Sequence, residues 1–186
     1  MSKYNLRITG GALRGRSLND KKSLTIRPTS ARVREAMFNV LRNTINGAKV
    51  LDIYAGTGCL SLEALSRGAL FATLIENDDM ALRIIKNNLK ETELLIHSKI
   101  IKGSSPKVLT GLKGSFNLIF ADPPYEKNIS TEEGSMISKL LANEGLFVYE
   151  HRSSYNPPES FGDMRVYDRK VYGESAVSYF SATERL

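Results

Sequence analysis

The 186-residue chain holds a single cysteine, Cys59, and two histidines, His97 and His151. One cysteine excludes a disulfide framework, and so few soft ligands leave no cysteine–histidine metal cluster. A reducing, cytoplasmic setting without a metal is therefore expected. No run of eighteen apolar residues occurs, which excludes a membrane-spanning helix. The opening residues are polar and basic with no apolar stretch, so no secretory signal is expected. Acidic residues are scarce in one region only. Residues 1–49 carry eleven Lys/Arg against Asp20 and Glu35, a net +9, whereas the remainder carries fifteen basic and eighteen acidic residues, a net −3. The charge is a basic arm on a mildly acidic body, and a phosphate backbone is the natural partner of such an arm.

From Lys49 onward, short apolar runs alternate with helical stretches. Strands are expected at 49–53, 71–75, 98–102, 116–121 and 145–150, with helices at 59–67, 79–90, 104–112 and 131–142. That alternation predicts an α/β, Rossmann-like domain with a mostly parallel sheet and helices on both faces. After Pro157-Pro158, residues 164–171 and 175–181 read as a closing antiparallel pair. Ahead of the domain, 4–9 and 12–18 alternate weakly around Gly10-Gly11 and suggest a hairpin carrying Arg7, Arg14 and Arg16. A helix then follows, capped by Thr29 or Ser30. Its apolar stripe is Val33, Ala36, Met37, Val40 and Leu41, and Arg32, Arg34 and Arg42 take its other faces. Two units are drawn on this basis: a basic extension, 1–28, and a catalytic domain, 29–186.

Two stretches carry chemistry. In Phe116-Asn-Leu-Ile-Phe-Ala-Asp-Pro-Pro-Tyr125 a buried strand runs into a stiff corner, because neither proline can donate a ladder hydrogen bond and each fixes its φ. Asp122 and the Pro123 carbonyl can accept N–H bonds from an exocyclic amine, and Tyr125 can stack on a planar base. Two preset acceptors draw an aryl amine towards pyramidal geometry and aim its lone pair at an electrophile. The second stretch is Val50-Leu-Asp-Ile-Tyr-Ala-Gly-Thr-Gly58, a strand ending in a Gly-rich turn that opens a helix. Twenty residues beyond Gly56, Glu76 stands where a carboxylate can accept ribose hydroxyls. Asp52, directly before the turn, would repel a pyrophosphate but attract an ammonium, as on S-adenosylmethionine. Methyl transfer from that cofactor to a base amine is the reading that joins the two.

Leu51-Asp-Ile-Tyr-Ala-Gly-Thr-Gly58, Glu63-Ala-Leu-Ser-Arg-Gly68, Glu76 and Asp122-Pro-Pro-Tyr125 resemble the class I amino-methyltransferases. With Arg27-Pro-Thr and Arg32-Val-Arg-Glu-Ala-Met-Phe-Asn39 added, nearly the whole chain resembles the bacterial RsmD-like family of small-subunit ribosomal RNA guanine-N2 methyltransferases. The resemblance implies a seven-stranded sheet, a monomer, and a substrate guanine (position 966) of 16S rRNA in the small ribosomal subunit or an assembly particle. It implies that Asp52, Tyr54, Ala55, Gly56, Gly58, Glu76, Asn77 and Ser104 bind the cofactor. The Asp122, Pro123, Pro124 and Tyr125 corner would hold the amine and base, and Arg7, Arg14, Arg16, Arg27, Arg32 and Arg34 would meet RNA. The family often places an acidic or amide residue after the third strand; here that place reads Gly103-Ser104-Ser105. Asp-Pro-Pro-Tyr also occurs in adenine-N6 DNA methyltransferases, which usually carry a separate target-recognition region, and this chain has little room for one. The other alternative is a non-catalytic RNA-binding assembly factor. His97 and His151 are read as surface or packing residues, Cys59 as a small buried one, and Glu150 as structural.

Overall fold

The computed structural model describes residues 6–20, 30–124 and 127–182. Elements are numbered in chain order: α1 (Ala31–Val40), β1 (Lys49–Ile53), α2 (Cys59–Ser66), β2 (Phe71–Glu76), α3 (Asp79–Glu91), β3 (Ser98–Lys102), α4 (Ser105–Gly111), β4 (Phe116–Ala121), α5 (Thr131–Leu140), β5 (Leu141–Arg152), β6 (Ser160–Phe161), β7 (Met164–Tyr172) and β8 (Ser175–Ser181). The strands form one sheet in the order β3-β2-β1-β4-β5-β8-β7-β6. β1 to β5 run parallel, and β8, β7 and β6 are antiparallel additions. Seven of these strands match the expectation from the sequence; the eighth is the two-residue β6 at the edge.

Alternation along the strands explains how both faces are buried. Val50, Leu118, Phe120 and Val148 point to the layer of α1, α2 and α3. Leu51, Ile53, Ile119, Phe147 and Tyr149 point to the layer of α4 and α5. The chain winds outward from β1 to β3 and returns at β4 beside β1, pairing Asp52 with Phe120 and Ile53 with Ala121. The loops leaving these two neighbours diverge, and a crevice opens at their carboxyl ends.

Several local expectations change. Residues 141–142 belong to β5, not to the preceding helix. The strand starts early because Leu141 pairs with Phe116 before a register shift that brings Leu146 opposite Leu118. In α1 the N-cap is Ser30, whose hydroxyl accepts from the Val33 N–H. The buried face there is Val33, Arg34, Met37 and Phe38, with Leu41 next, and Ala36 and Val40 are only half-buried. Phe38 packs its ring 5.6 Å from that of Phe120.

The described part of the N-terminal arm is a short looped hairpin with one bridge, Arg7 to Ser17. Leu6, Ile8 and Leu18 lie in the same core as α1 and α2. Its Gly-Gly tip is pressed onto the end of α2. Ala12 N–H donates to the Ser66 carbonyl at 2.7 Å, and a Cβ on Gly11, whose φ is +79°, would sit 1.9 Å from that oxygen. The close backbone approach that these glycines permit is thus to the protein itself. Beneath the tip lies the fully buried Glu63 of α2. One carboxylate oxygen accepts from Thr9 Oγ1 (2.8 Å) and Arg67 Nε (2.7 Å). The other accepts from the Thr9 N–H (2.8 Å) and faces Arg34 Nε at 3.6 Å.

Truncating Glu63 to Ala strips the arm of its anchor and removes the carboxylate that faces the buried Arg34 guanidinium. A loss of about 3–5 kcal/mol is expected, read as a lower urea midpoint at unchanged slope.

Candidate functional site

The crevice between the loops after β1 and β4 is a cleft of about 620 Å³, within the range of small-ligand sites. Asp52, Tyr54, Ala55, Gly56, Glu76, Asn77 and Ser104 line it, as do Asp122 and Pro124. Two stretches seventy residues apart in sequence therefore meet on one cavity. Gly58 and Pro123 are buried beneath it and are not among its lining residues. Tyr125 lies outside the described residues.

Asp52, next to last in β1, faces the α2 side of the sheet and is almost wholly buried. Its Oδ2 accepts from Ser61 Oγ at 2.7 Å and from the Ser61 N–H at 3.2 Å. Its Oδ1 is buried with no hydrogen-bond partner among the described residues. Burial raises its pKa to about 7; the Ser61 hydrogen bonds oppose the shift, and the Glu76 charge adds to it. A buried carboxylate oxygen without a partner is costly to keep charged, which is the cause of the raised pKa.

Tyr54, one residue beyond β1, has a φ of +65°, a left-handed conformation that costs a bulky side chain roughly 1–3 kcal/mol. Its hydroxyl donates to Glu133 Oε1 at 2.7 Å, and Lys127 Nζ lies 4.7 Å from its ring centre. Burial and the Glu133 carboxylate push the phenol upward, so it stays protonated. Gly58 caps α2 in the left-handed region; an added Cβ would press on Leu74 and Ile85 at 3.2–3.4 Å.

Glu76, at the end of β2, has its carboxylate oriented before any ligand arrives. Oε2 accepts from the Gly56 N–H at 2.8 Å, and Oε1 accepts from the Asn77 and Asp78 N–H groups at 2.7 and 2.8 Å. Carboxylate oxygens have lone pairs beyond these, so hydroxyl donors in the cleft can still be received. Ser104 is the N-cap residue of α4, yet its side chain makes no capping bond. It lines the cleft beside Gly103 and Ser105.

Sequence reading missed three contributors. Asp20, counted as one of the arm's two acids, lines the cleft. It is brought there by Asn88 of α3, a buried amide that accepts from the Asn19 N–H (2.7 Å) and donates to the Asn19 carbonyl (3.1 Å) and the Thr57 carbonyl (3.0 Å). Lys127 also lines it, its N–H closing the corner onto the Pro124 carbonyl at 2.7 Å. No local signal marked Asn88 or Asp20, because their partners lie tens of residues away.

The RNA-facing set needs one correction. Arg34 is buried, with 1% exposure, and it donates to the Arg7 carbonyl and pairs with Glu63. Its guanidinium lies inside the fold beside the Glu63 carboxylate, not on the surface of the arm. Arg7, Arg14, Arg16 and Arg32 are exposed, although Arg16 also donates to the Glu91 carbonyl at 2.7 Å. Arg27 lies outside the described residues. His97 is exposed. His151 is buried, its Nε2 2.8 Å from Ser178 Oγ, and burial lowers its pKa, as suits a packing residue. Desolvation pushes the Cys59 thiol up to about 11, which leaves it a poor nucleophile. Glu150 is buried and is not among the cleft's lining residues.

The strand order, the Gly turn after β1 and the carboxylate at the end of β2 define the Rossmann-like fold of class I methyltransferases. Precorrin-6y C5,15-methyltransferase from Geobacter metallireducens shares that fold at 16% identity, with a TM-score of 0.62 over 88% of this chain and 92% of its own. More specifically, the chain belongs to the family described as Conserved hypothetical protein 95, the RsmD family, which it matches over residues 6–181. Ribosomal RNA small subunit methyltransferase D of Escherichia coli K12 is 35% identical over 173 residues, 92% of this chain and 87% of that protein. The namesake from Buchnera aphidicola (Acyrthosiphon pisum) is 30% identical over 88% of this chain and 86% of its own. The solved structure of yhhF from Escherichia coli superposes with a TM-score of 0.85 at 32% identity, covering 96% and 99% of the two chains.

The raised pKa of Asp52 has a defined sign for stability. Between the ordinary carboxylate value of 3.8 and about 7 the folded state holds a proton that the unfolded state has lost. The fold is therefore favoured at low pH and weakens as pH rises through this window. Asp52→Asn removes the effect. The stability difference between the two proteins should shift in the variant's favour by up to about 1.4 kcal/mol per pH unit across that window, measured by urea titration at each pH.

Proposed function

We propose that the cleft transfers a methyl group from S-adenosylmethionine to the exocyclic N2 amine of a guanine in 16S ribosomal RNA. The coarser part, cofactor-dependent methylation of ribosomal RNA, is supported by membership of a family whose curated relatives carry that name. The single observation that carries the reading is the meeting of Asp52 and Asp122 on one cavity.

The residues present fit the cofactor. The orphaned Asp52 Oδ1 suits its ammonium, Glu76 its ribose hydroxyls, and Asn77 and Ser104 line the wall for its adenine. When bound there, the cofactor supplies an electrophilic methyl on a sulfonium. Asp122 accepts an N–H from the guanine amine, the Pro123 carbonyl takes the second, and Tyr125 stacks on the flipped-out base. Drawing both N–H bonds out of the ring plane frees the nitrogen lone pair for attack. The proton released after transfer leaves to water or Asp122. Arg7, Arg14, Arg16 and Arg32, with Arg27 by sequence, hold RNA phosphates and position the substrate without reading the base. The substrate is a small ribosomal subunit or an assembly particle, and the enzyme acts as a cytoplasmic monomer.

Labelled S-adenosylmethionine offered with naked rRNA, small-subunit particles or duplex DNA tests the reading once the labelled base is mapped. Label on a guanine N2 of 16S rRNA is expected, and label confined to adenine N6 of DNA would refute it. Asp122→Ala should abolish transfer with nearly unchanged cofactor affinity by calorimetry; equal loss of both would mean that Asp122 belongs to the cofactor site. Charge reversal at Arg14 and Arg32 should weaken substrate binding and reduce the slope of log K against log salt by roughly 0.7–0.9 per lost phosphate contact. An unchanged slope would remove the arm from the RNA interface.

A further inference from the structure

Ser130-x-x-Glu133 has the spacing of a capping box, in which the glutamate turns back to the N–H of the cap residue. Half of that box forms: the Glu133 N–H donates to Ser130 Oγ at 3.1 Å. The carboxylate does something else. It is 3% exposed, and its Oε1 accepts from the Tyr54 hydroxyl at 2.7 Å and from Ser105 Oγ. One oxygen of α5 thus joins the turn after β1 to the opening of α4, and both of those segments line the cleft. α5 is itself the element that follows the Asp122 corner, so this atom ties the substrate side of the cleft to its cofactor side.

Stability alone is a poor reason for such an arrangement, since an apolar side chain of similar volume often serves a core as well as a buried carboxylate does. Tyr54 supplies the better reason. Its backbone is held in the left-handed region, and such conformations persist only where the surroundings over-determine them. The Glu133 bond fixes the far end of the side chain, and the Lys127 ammonium covers the ring at 4.7 Å. Ser105, held by the same oxygen, sets the position of Ser104 beside it.

We infer that Glu133 is a positioning residue of the cofactor site, holding the strained Tyr54 turn and the Ser104–Ser105 opening of α4 in the conformation that receives the adenosine end. The inference rests on the cofactor reading above, but it needs neither the RNA nor the identity of the methylated base. Its test is calorimetric binding of S-adenosylhomocysteine to the full chain without RNA. Glu133→Ala and Tyr54→Phe should each weaken binding about tenfold, and the double variant should be no weaker than Glu133→Ala, because the two changes cut one link. Glu133→Gln keeps an acceptor oxygen at the same place and should return binding to within about threefold of the wild type. Should Glu133→Ala fail to fold, Tyr54→Phe and Ser105→Ala carry the test. Folded variants with lower melting temperatures but wild-type affinity would overturn the positioning role and leave Glu133 a packing residue. A wild-type chain that does not bind the compound would instead refute the cofactor reading itself.

Discussion

The parallel pairing of β1 with β4 is the constraint on which the rest depends. Ile53 and Ala121 are register partners at the ends of two adjacent strands, so the residues that follow them leave the sheet at one place and diverge. A Gly-rich turn departs towards α2, and a proline-stiffened corner departs towards α5. The two carboxylates, Asp52 and Asp122, share a cavity because the return crossover after β3 lands beside β1 rather than beyond it. Without that reversal of winding the two chemistries would lie apart and neither would have a partner.

Around this pairing, the polar side chains that the fold buries are used to join segments. Glu63 fastens the arm to α2, Asn88 fastens its end to the Gly turn, and Glu133 fastens that turn to α4 and α5. Each is a buried acceptor or amide met by donors from other elements, which is the condition for burying such a group at tolerable cost. Asp52 differs from these ties in that its Oδ1 is unmet among the described residues, as are Arg34 Nε and the Tyr179 hydroxyl, and of these three residues Asp52 lines the cleft. The basic arm is coupled to the same cleft. Its Asp20 is part of the lining and its backbone is held by Asn88, so the arm and the wall of the cleft belong to one packed unit.

Much of this was legible from residue order because it depends on near neighbours. Apolar runs of period two, glycines at a turn, paired prolines after a strand and a serine before a helix act over a few residues, and these placed β1 to β4, α2, α3 and both chemical stretches within a residue or two. The errors fell where a distant partner overrode a local pattern. Arg34 looked like one face of an amphipathic helix, but it is buried beside Glu63, twenty-nine positions away. Gly10-Gly11 reads as a hairpin turn in the sequence, and only the fold sets the Ser66 carbonyl against it.

The order of amino acids by itself determined the class of fold, the ligand-facing turns and the chemistry they can support, because backbone propensity and side-chain functional groups are properties of residues and their immediate neighbours. Tertiary structure alone decided which of those groups face the cleft and which are spent inside: Glu133 and Asn88 as ties, Arg34 as a buried counter-ion, Asp20 as a wall. Those roles depend on what lies within three or four ångströms, and the partners of Glu133, Asn88 and Arg34 come from segments 27 to 79 residues away.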